Sequence, residues 1–342
     1  MVFFYILMMV LVFGVLIFIH EFGHFITARL CGVTVKEFAI GMGPTILSRV
    51  SKKSGTKYGL RLLPIGGFVS MEGEDEESGE TGAFCNKKVW QRMLIVVAGA
   101  AMNLLLGFLL MTVIVFSQGQ LRSTTVEYFY EGSVSHEQLM VGDQILSVDG
   151  TPVFTGNDLV YEIMNQGYEP IDLKVRRNGQ TIELRNVTFP TMEDSGSLFG
   201  VYDFAPGVEE KNLPNLVKHS FFRSVSTVKM VYDSLIGLLS GRFGMDAVSG
   251  PVGVTKVVGD AAKGGLINFL YIVSVLSINL GVFNLIPFPA LDGGRFLFLI
   301  IEGIRRKPIN RNVEGYINFI GIVILFAIMI FVTIKDVFNL FS

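Results

Sequence analysis

The sequence has 342 residues, of which 50% are hydrophobic and 17% are charged, and its mean hydropathy is +0.52. This composition excludes an ordinary soluble enzyme, because a soluble domain carries more charge and fewer apolar residues. The formal net charge of −2 argues against nucleic acid as a partner, since there is no basic excess to displace counterions from phosphates.

The apolar residues are concentrated in four runs, each close to the ~20 residues that a membrane-spanning helix needs. The runs are residues 2–30, with the most apolar part at 2–19, then 93–116, 266–285 and 313–332. A further apolar stretch at 296–301 is too short to cross a bilayer. We therefore predict a polytopic α-helical membrane protein with about four transmembrane helices.

A cleaved signal peptide is an alternative interpretation of the first run. However, no basic residue precedes the run, and no Ala-x-Ala cleavage site follows it. The residues that do follow are His20-Glu21-Phe22-Gly23-His24, and a discarded segment has no use for this pentapeptide. We therefore expect the first run to be retained as a transmembrane helix.

The lysine and arginine residues indicate how the helices are oriented. They are abundant after the first run and again before the fourth, and none precedes the first run. The bias places both basic loops in the cytoplasm, and an even number of spans then places both termini outside. Residues 117–265 face the extracytoplasmic side. Their lack of cysteine agrees with this orientation, because Cys31 and Cys85 both lie in the first cytoplasmic loop and no disulfide framework is implied.

The exported region begins with a small, mostly β domain at about residues 121–205. Residues 144–148, 171–176 and 181–184 are expected strands, and 157–165 are an expected helix. The dipeptides Asp149-Gly150 and Asn178-Gly179 are strong signals for short hairpin turns. From about 208 to 248 the chain is predicted to be helical and amphipathic, lying either on the outer membrane surface or against the small domain.

The pentapeptide at residues 20–24 carries a candidate catalytic metal site. On a helix, His20 and His24 lie one turn apart on the same face and can hold one Zn²⁺. Glu21 is placed to take a proton from zinc-bound water. Each ionisable group inside a span costs ~2.5–3.5 kcal/mol, so three together indicate a function. The alternative is that the histidines only form hydrogen bonds between helices.

A catalytic zinc needs a third protein ligand and an open position. The other histidines, His136 and His219, both lie on the exported side. Asp292 follows the third span near the cytoplasmic face, so we predict that it is the third ligand. Glu302 is the competing candidate, but it lies beside the basic residues 305–307 and is expected to be solvated.

These motifs together resemble the site-2 protease family of intramembrane zinc metalloproteases, in its bacterial RseP/RasP type with a single PDZ domain. The resemblance rests on the 20–24 motif in a first span, on residues 284–293 (Asn-Leu-Ile-Pro-Phe-Pro-Ala-Leu-Asp-Gly) after a third, and on a PDZ-like insertion. It implies His20, His24 and Asp292 as zinc ligands and Glu21 as the general base. It covers nearly the whole chain.

Further segments match the family and imply further roles. Asn279 and Asn284 occupy its polar positions before the aspartate motif, where they bind substrate or a developing oxyanion, or else form hydrogen bonds between helices. Residues 98–103 match a second-span motif, with Ala100 where the family usually has proline, and 249–253 match a segment whose expected role is structural.

Residues 61–71 resemble the membrane-associated β-loop of the family. This resemblance implies a free strand edge that can pair with an unwound substrate, and it assigns substrate contacts to five residues: Gly66, Gly67, Phe68, Val69 and Met71. The acidic run that follows, at 72–80, is expected to be a solvated and mobile tether.

Residues 141–150 resemble the core of bacterial PDZ domains. The resemblance implies recognition of peptide ends by strand addition, and a purely steric filter is the alternative. For the whole protein it implies the bacterial cytoplasmic (inner) membrane as the location, with the PDZ-like domain outside. The implied substrates are single-span proteins such as anti-sigma factors or signal-peptide remnants, cut first by an upstream site-1-type protease.

The predicted organisation has four parts. Residues 1–116 carry two spans and the β-loop, 117–205 the PDZ-like domain, 206–265 an amphipathic region at the membrane surface, and 266–342 the last two spans. Three other functions compete with the protease. A scaffold has no use for both Glu21 and Asp292, a metal transporter needs polar residues along several spans, and a prenyl-protein protease needs a glutamate at the depth of the zinc.

Overall fold

A computed structural model of the chain describes residues 2–74, 76, 78–194, 196–244 and 248–341. Its contacts divide the chain into two compact units. The first unit combines Met1–Gly107 with Ser249–Ser342, and the second is Phe108–Val248. The long helix α2 contributes residues to both units.

The first unit is built mainly of helices. They are α1 (Val2–Leu30), α2 (Val89–Ser117), α5 (Pro251–Lys263), α6 (Leu266–Leu285), α7 (Asp292–Arg305) and α8 (Arg311–Phe341). Within the described residues, four helices are long and apolar enough to cross a membrane, and these are α1, α2, α6 and α8. The predicted spans are thereby confirmed, and the chain is a multi-pass membrane protein. The stretch at 296–301 lies inside α7, which has only 14 residues.

Helices α1 and α6 both pack closely on α2, and small residues make the approach possible. A Cβ atom on Gly23 of α1 would lie 2.8 Å from the backbone carbon of Ala98, and one on Gly281 of α6 would lie 3.0 Å from the Ala100 carbonyl oxygen. Small residues at helix contacts are typical of membrane proteins, because apolar driving force between helices is weak in lipid.

Helix α5 is a short element held by α1 and α8. Its Val258 is fully buried with Val12 and Leu16 of α1. At its first turn, the backbone N–H of Gly253 donates to Asp336 Oδ2 of α8 at 2.8 Å. The 249–253 segment therefore anchors the start of α5 to the last span, in line with the structural role expected for it.

Between α1 and α2 lies a long hairpin that is folded back on itself. Its strands are β1 (Val35–Val50) and β2 (Lys57–Met71). Residues 35–40 pair with 67–71, and 45–50 pair with 57–61. Residues 37–40 also lie beside 57–60, with Glu37 opposite Lys57 and Ile40 opposite Leu60. We call 67–71 the inner edge and 45–50 the outer edge, because 35–40 and 57–61 lie between them.

The second unit contains a six-stranded sheet and the short helix α3 (Gly156–Gln166). The strand order is β10-β3-β4-β6-β7, with β5 paired to β4, and β8 and β9 form a separate pair. The strands are β3 (Leu121–Phe129), β4 (Gln144–Val148), β5 (Thr151–Pro152), β6 (Ile171–Arg177), β7 (Gln180–Val187), β8 (Thr191–Asp194), β9 (Ser197–Gly200) and β10 (Phe204–Glu209). The expected strands and helix are confirmed, and both hairpin dipeptides have positive φ angles.

Helix α4 (Leu213–Leu239) follows the sheet and packs against α3. Its Asp233 accepts a hydrogen bond from the Tyr161 hydroxyl at 2.7 Å, and its Phe222 ring stacks on Phe154 at 4.0 Å. The expected helical start near residue 208 is wrong, because 208 and 209 belong to β10 and complete the sheet. Contact with the small domain was one of the two arrangements that the sequence allows.

Candidate metal centre and active site

The structure brings together the three side chains predicted to hold the metal. His20 and His24 project from one face of α1, and Asp292 is the first residue of α7. Asp292 Oδ2 lies 3.1 Å from His20 Nε2 and 3.4 Å from His24 Nε2, and the two Nε2 atoms are 3.2 Å apart. Within the described residues, these three form a group whose ligand atoms all lie within 4.8 Å of one another.

The turn before Asp292 is fixed by helix α8. Ala290 has a φ of 75°, a conformation that is unusual for a residue with a side chain. Its N–H donates to Asn318 Oδ1 at 3.1 Å. Gly321 lies so close to Pro289 that a Cβ atom there would be 2.6 Å from the proline carbonyl oxygen. The last span therefore holds the loop that presents the Asp292 carboxylate to the histidines.

The donor atoms fit a divalent cation. His24 Nδ1 is 2.8 Å from the Ile95 carbonyl oxygen, which can only accept, so Nδ1 carries the proton and Nε2 presents a lone pair. Asp292 Oδ2 is shielded from solvent and accepts no well-formed hydrogen bond from the described residues. Burial raises the pKa of Asp292, but the contacts with His20 and His24 lower it by a larger amount. The net result is a pKa below the ordinary aspartate value. Two imidazoles and one carboxylate are a typical catalytic zinc ligand set.

Asn103 on α2 contacts the first histidine and was not assigned a role from the sequence. It is fully buried, and its side-chain amide nitrogen lies 3.2 Å from His20 Nδ1. Its Oδ1 atom has no hydrogen-bond partner among the described residues. Turning the amide over directs Oδ1 to His20, where it accepts the Nδ1 proton. That tautomer leaves Nε2 of His20 free for the metal.

We expect Asn103→Leu to weaken zinc binding by about 10- to 100-fold, because His20 loses the acceptor that orients its ring. Competition with a chromogenic chelator on purified protein measures the affinity. Thr112→Val is the matched control, since Thr112 donates only to the Phe108 carbonyl of its own helix α2. Equal zinc affinities for the two variants would contradict the role of Asn103.

Gly99, also on α2, leaves the space in front of the histidines open. A Cβ atom at this position would lie 2.8 Å from both His20 Nε2 and His24 Cε1, and nearer still to His24 Nε2. The sequence offered one usable signal for this role. Gly99 and Asn103 are four residues apart, so they share one face of a helix.

Glu21 lies beside both the metal ligands and the inner edge of the hairpin. It interacts electrostatically with His20, His24 and Asp292. A Cβ atom on Gly67 would be 3.0 Å from Glu21 Cγ, so any other residue there would force the strand or the Glu21 side chain to shift. The structure therefore places the predicted base next to a strand edge.

The other β-loop residues differ in what they can offer a substrate. Val69 and Met71 are buried in a cluster with Phe84 and Ile95, so only their backbone groups remain available for pairing. Phe68 is half-buried, and the Arg61 guanidinium lies 4.2 Å from the centre of its ring. Any strand addition here would therefore use main-chain groups.

The two asparagines of α6 are not joined to the ligand cluster by a hydrogen bond. The Asn284 amide donates to the Leu280 carbonyl of its own helix at 2.9 Å. Asn279 is half-buried and makes no side-chain hydrogen bond within the described chain. Neither asparagine forms the hydrogen bond between helices that was the alternative role.

Two predictions about acidic residues are wrong. Glu302 is not solvated, because Arg92 of α2 donates two hydrogen bonds to its carboxylate at 2.5 and 3.1 Å. The acidic run at 72–80 is not a free tether at its start. Glu72 pairs with Lys36 at 2.8 Å, and Glu74 accepts from Arg295 at 2.5 Å and from the Met71 N–H at 3.1 Å. Residues 75 and 77 of this run lie outside the described residues.

The remaining histidines belong to the second unit and have partners there. His136 Nδ1 lies 2.6 Å from the Ser133 carbonyl oxygen, and His219 Nε2 lies 3.2 Å from Glu209 Oε2. Burial lowers the pKa of His219. Both residues were excluded as metal ligands on the sequence, and neither belongs to the ligand group of His20, His24 and Asp292.

Comparison with known proteins shows the class to which this fold and site belong. Residues 8–328 match the model of peptidase family M50, and the chain belongs to this family of site-2 proteases. A Clostridium acetobutylicum protein, provisionally named a zinc metalloprotease, is 37% identical over 341 residues, with 98% of each chain covered. The regulator of sigma-W protease RasP of Bacillus subtilis is 30% identical over 416 aligned positions, covering 97% of this chain and 98% of its own. Zinc metalloprotease RasP of Bacillus licheniformis is also 30% identical, with the same coverage.

Family and relatives together establish the enzyme class. The protein is a zinc metalloprotease, and Zn²⁺ is its cofactor. The recognition of the site-2 protease family from the sequence is confirmed.

Proposed function

We propose that this metalloprotease hydrolyses peptide bonds in or near the transmembrane segments of other membrane proteins. The observation that carries the proposal is the position of the ligand group. His20 and His24 lie within a helix long enough to span a bilayer, and Asp292 joins them from the helix that follows the third span. A protease built for soluble substrates has no need to place its metal ligands there.

The residues have distinct roles in the proposed reaction. His20, His24 and Asp292 hold the zinc, which when bound acidifies a water molecule and polarises the scissile carbonyl group. Glu21 accepts the proton of the attacking water and later delivers it to the leaving amine. Asn103 and the Ile95 carbonyl keep both imidazoles in the tautomer that the metal requires.

The substrate must reach this site as an extended strand, because a helix keeps its peptide groups in its own hydrogen-bond ladder. We propose that the unwound segment pairs with the inner edge at 67–71. The closeness of Gly67 to Glu21 supports this arrangement. Gly66 has a φ of 86° and shapes the backbone before the edge. Asn279 and Asn284 then contact the substrate backbone, and for this Asn284 must release the Leu280 carbonyl.

The remaining assignments concern the exported region and its partners. Residues 117–205 act as a PDZ-like domain that admits substrates, by binding peptide ends or by excluding large ectodomains. The domain and both termini face outward from a bacterial cytoplasmic membrane. The name of the B. subtilis relative, regulator of sigma-W protease, supports anti-sigma factors as substrates. Signal-peptide remnants are a second class of substrate. The anti-sigma factors are first cut by an upstream site-1-type protease.

The test is cleavage of a single-span model substrate by the purified protein in detergent, with product masses locating the cut bond. We expect cleavage within or next to the span. Removing zinc with a chelator stops cleavage, and adding Zn²⁺ back restores it. Cuts found only in the soluble parts of the substrate would overturn the intramembrane proposal while leaving the enzyme class intact.

A further inference from the structure

The outer side of the folded hairpin carries a groove of about 320 Å³. Its lining is mostly apolar and includes Phe38, Ile40, Leu47, Tyr58 and Leu60, with Arg49 as its charged member. The floor is firm, because the Tyr58 ring packs 6.0 Å from Phe25 of α1 and 6.3 Å from Phe38. We call this feature the outer groove.

The strands around the outer groove expose several large apolar side chains. Ile46, Leu47, Val50 and Leu62 are each more than half exposed. Large contiguous exposed apolar patches mark interaction or membrane sites. The outer groove therefore needs an apolar occupant.

The outer groove adjoins a basic turn, because its lining residue Arg49 is followed closely by Lys52 and Lys53. Arg49, Lys52 and Lys53 are exposed and form no ion pair with any residue that the structure describes. The neighbouring cations differ, since Lys57 and Arg61 both pair with Glu37. The groove thus combines an apolar floor with one unpaired cation in its lining and two more on the adjoining turn.

The folding of the hairpin explains why the charges gather there. The Thr56 hydroxyl donates to the Val35 carbonyl oxygen at 2.9 Å, so the turn at 51–56 returns to the start of β1. Val35 lies just after α1, which ends at Leu30. The three cations therefore sit at the level of the C-terminal end of the first span, where the headgroups of a bilayer lie.

We propose that the outer groove binds an anionic phospholipid of the cytoplasmic leaflet. The acyl chain lies along the apolar floor, and Arg49, Lys52 and Lys53 bind the phosphate and headgroup. Guanidinium and ammonium groups donate strong hydrogen bonds to phosphate, and their apolar stems cover the start of the chain. The proposal rests on the membrane orientation proposed above.

The charge pattern favours a lipid over an unwound substrate. A substrate strand is proposed to pair with the inner edge at 67–71, and no residue of that edge lines the outer groove. A ligand with an apolar tail and one negatively charged end matches the apolar floor of the groove and the basic turn beside it. Each basic residue near an anionic leaflet strengthens association by about fivefold. We therefore expect a measurable preference for an anionic headgroup.

Fluorescence quenching by brominated lipids tests the proposal at the groove itself. The chain has a single tryptophan, Trp90, and combining Trp90→Phe with Leu47→Trp moves this fluorophore to the groove. The protein is placed in phosphatidylcholine vesicles containing a minor fraction of dibrominated phosphatidylglycerol or dibrominated phosphatidylcholine. We expect the anionic lipid to associate at least about fivefold more tightly.

Two charge variants in this background locate the preference. Replacing Arg49, Lys52 and Lys53 by Gln is expected to abolish it. Replacing Arg305, Arg306 and Lys307 by Gln removes the same charge from another exposed basic cluster outside the outer groove, and is expected to preserve it. Zinc content and circular dichroism establish that both variants are folded.

Each other outcome overturns the proposal. Equal quenching by the two lipids means that the groove meets the bilayer without selecting a headgroup, and no quenching by either means that it does not face lipid. Loss of preference in both variants assigns the effect to diffuse surface charge. Recovery of fluorescence on adding a single-span substrate assigns the groove to substrate. Because no cleavage is measured, failure of the proposed peptidase reaction leaves this test unaffected.

Discussion

Substituting Glu21 by Gln is expected to lower the rate of peptide hydrolysis by about 100- to 10,000-fold while zinc remains bound. Glutamine has nearly the shape of glutamate but cannot accept a proton from water at neutral pH. The three proposed ligands do not include Glu21, so the metal is expected to keep its full set. Single-turnover cleavage of a single-span substrate measures the rate, and elemental analysis of the same sample measures the zinc.

Glu302→Gln is the matched control for this substitution. It makes the same chemical change on α7, the helix that begins with Asp292, but its carboxylate is engaged by Arg92. We expect zinc content to stay at the wild-type level and the hydrolysis rate to stay within a few-fold of it. If Glu302→Gln lost zinc instead, the choice of Asp292 over Glu302 as third ligand would be wrong. If Glu21→Gln lost zinc, Glu21 would contribute to zinc binding as well as acting as the base.

The second large effect is expected from Gly99→Ala, which should weaken zinc binding by at least about 100-fold, the upper end of the effects seen around metal ligands. The added methyl group would lie 2.8 Å from His20 Nε2, where a close-packed interior leaves no room to retreat. The helix itself gains, because Ala is about 1 kcal/mol more favourable than Gly in a helix interior. Chelator competition measures zinc affinity, and thermal unfolding of the same protein without zinc shows whether the fold is kept.

Gly107→Ala separates the metal site from helix packing. This change is on the same helix α2, and its Cβ would lie 2.5 Å from Ile278 Cγ1 of α6. We expect a lower melting temperature with zinc affinity unchanged. A Gly99→Ala protein that binds zinc as tightly as wild type would show that α1 and α2 are further apart than the structure places them.

The spans and the two histidines of the proposed metal site were predictable from the sequence for physical reasons that act locally. A bilayer demands about 20 apolar residues in a row, and that demand is visible in any window of the chain. The helical repeat places His20 and His24 on one face wherever the helix lies. Asp292 was predicted as the third ligand because it follows the third span, at a membrane depth close to that of the histidines. The hairpin dipeptides were equally local, since Asp149-Gly150 and Asn178-Gly179 dictate their own backbone angles.

What could not be predicted depends on partners that are distant in sequence. Gly99 and Asn103 have meaning only once α2 lies against α1. Glu302 lies beside basic residues in the sequence, but its partner is Arg92, from a helix more than 200 residues away. Glu74 likewise forms an ion pair with Arg295, which is distant in sequence. The fold of the hairpin upon itself joins residues 37–40 to 57–60, and no local turn signal specifies that pairing.

The split origin of the ligands has a consequence for how the cell makes this enzyme. A chain still attached to the ribosome, with only its first two helices inserted, already carries His20, Glu21 and His24 but lacks the carboxylate of Asp292. It also lacks α8, whose Asn318 fixes the turn that presents this carboxylate. If these residues act as proposed, hydrolysis therefore requires that α7 and α8 have joined the first two helices. We therefore expect a chain that ends before Asp292 to be inactive.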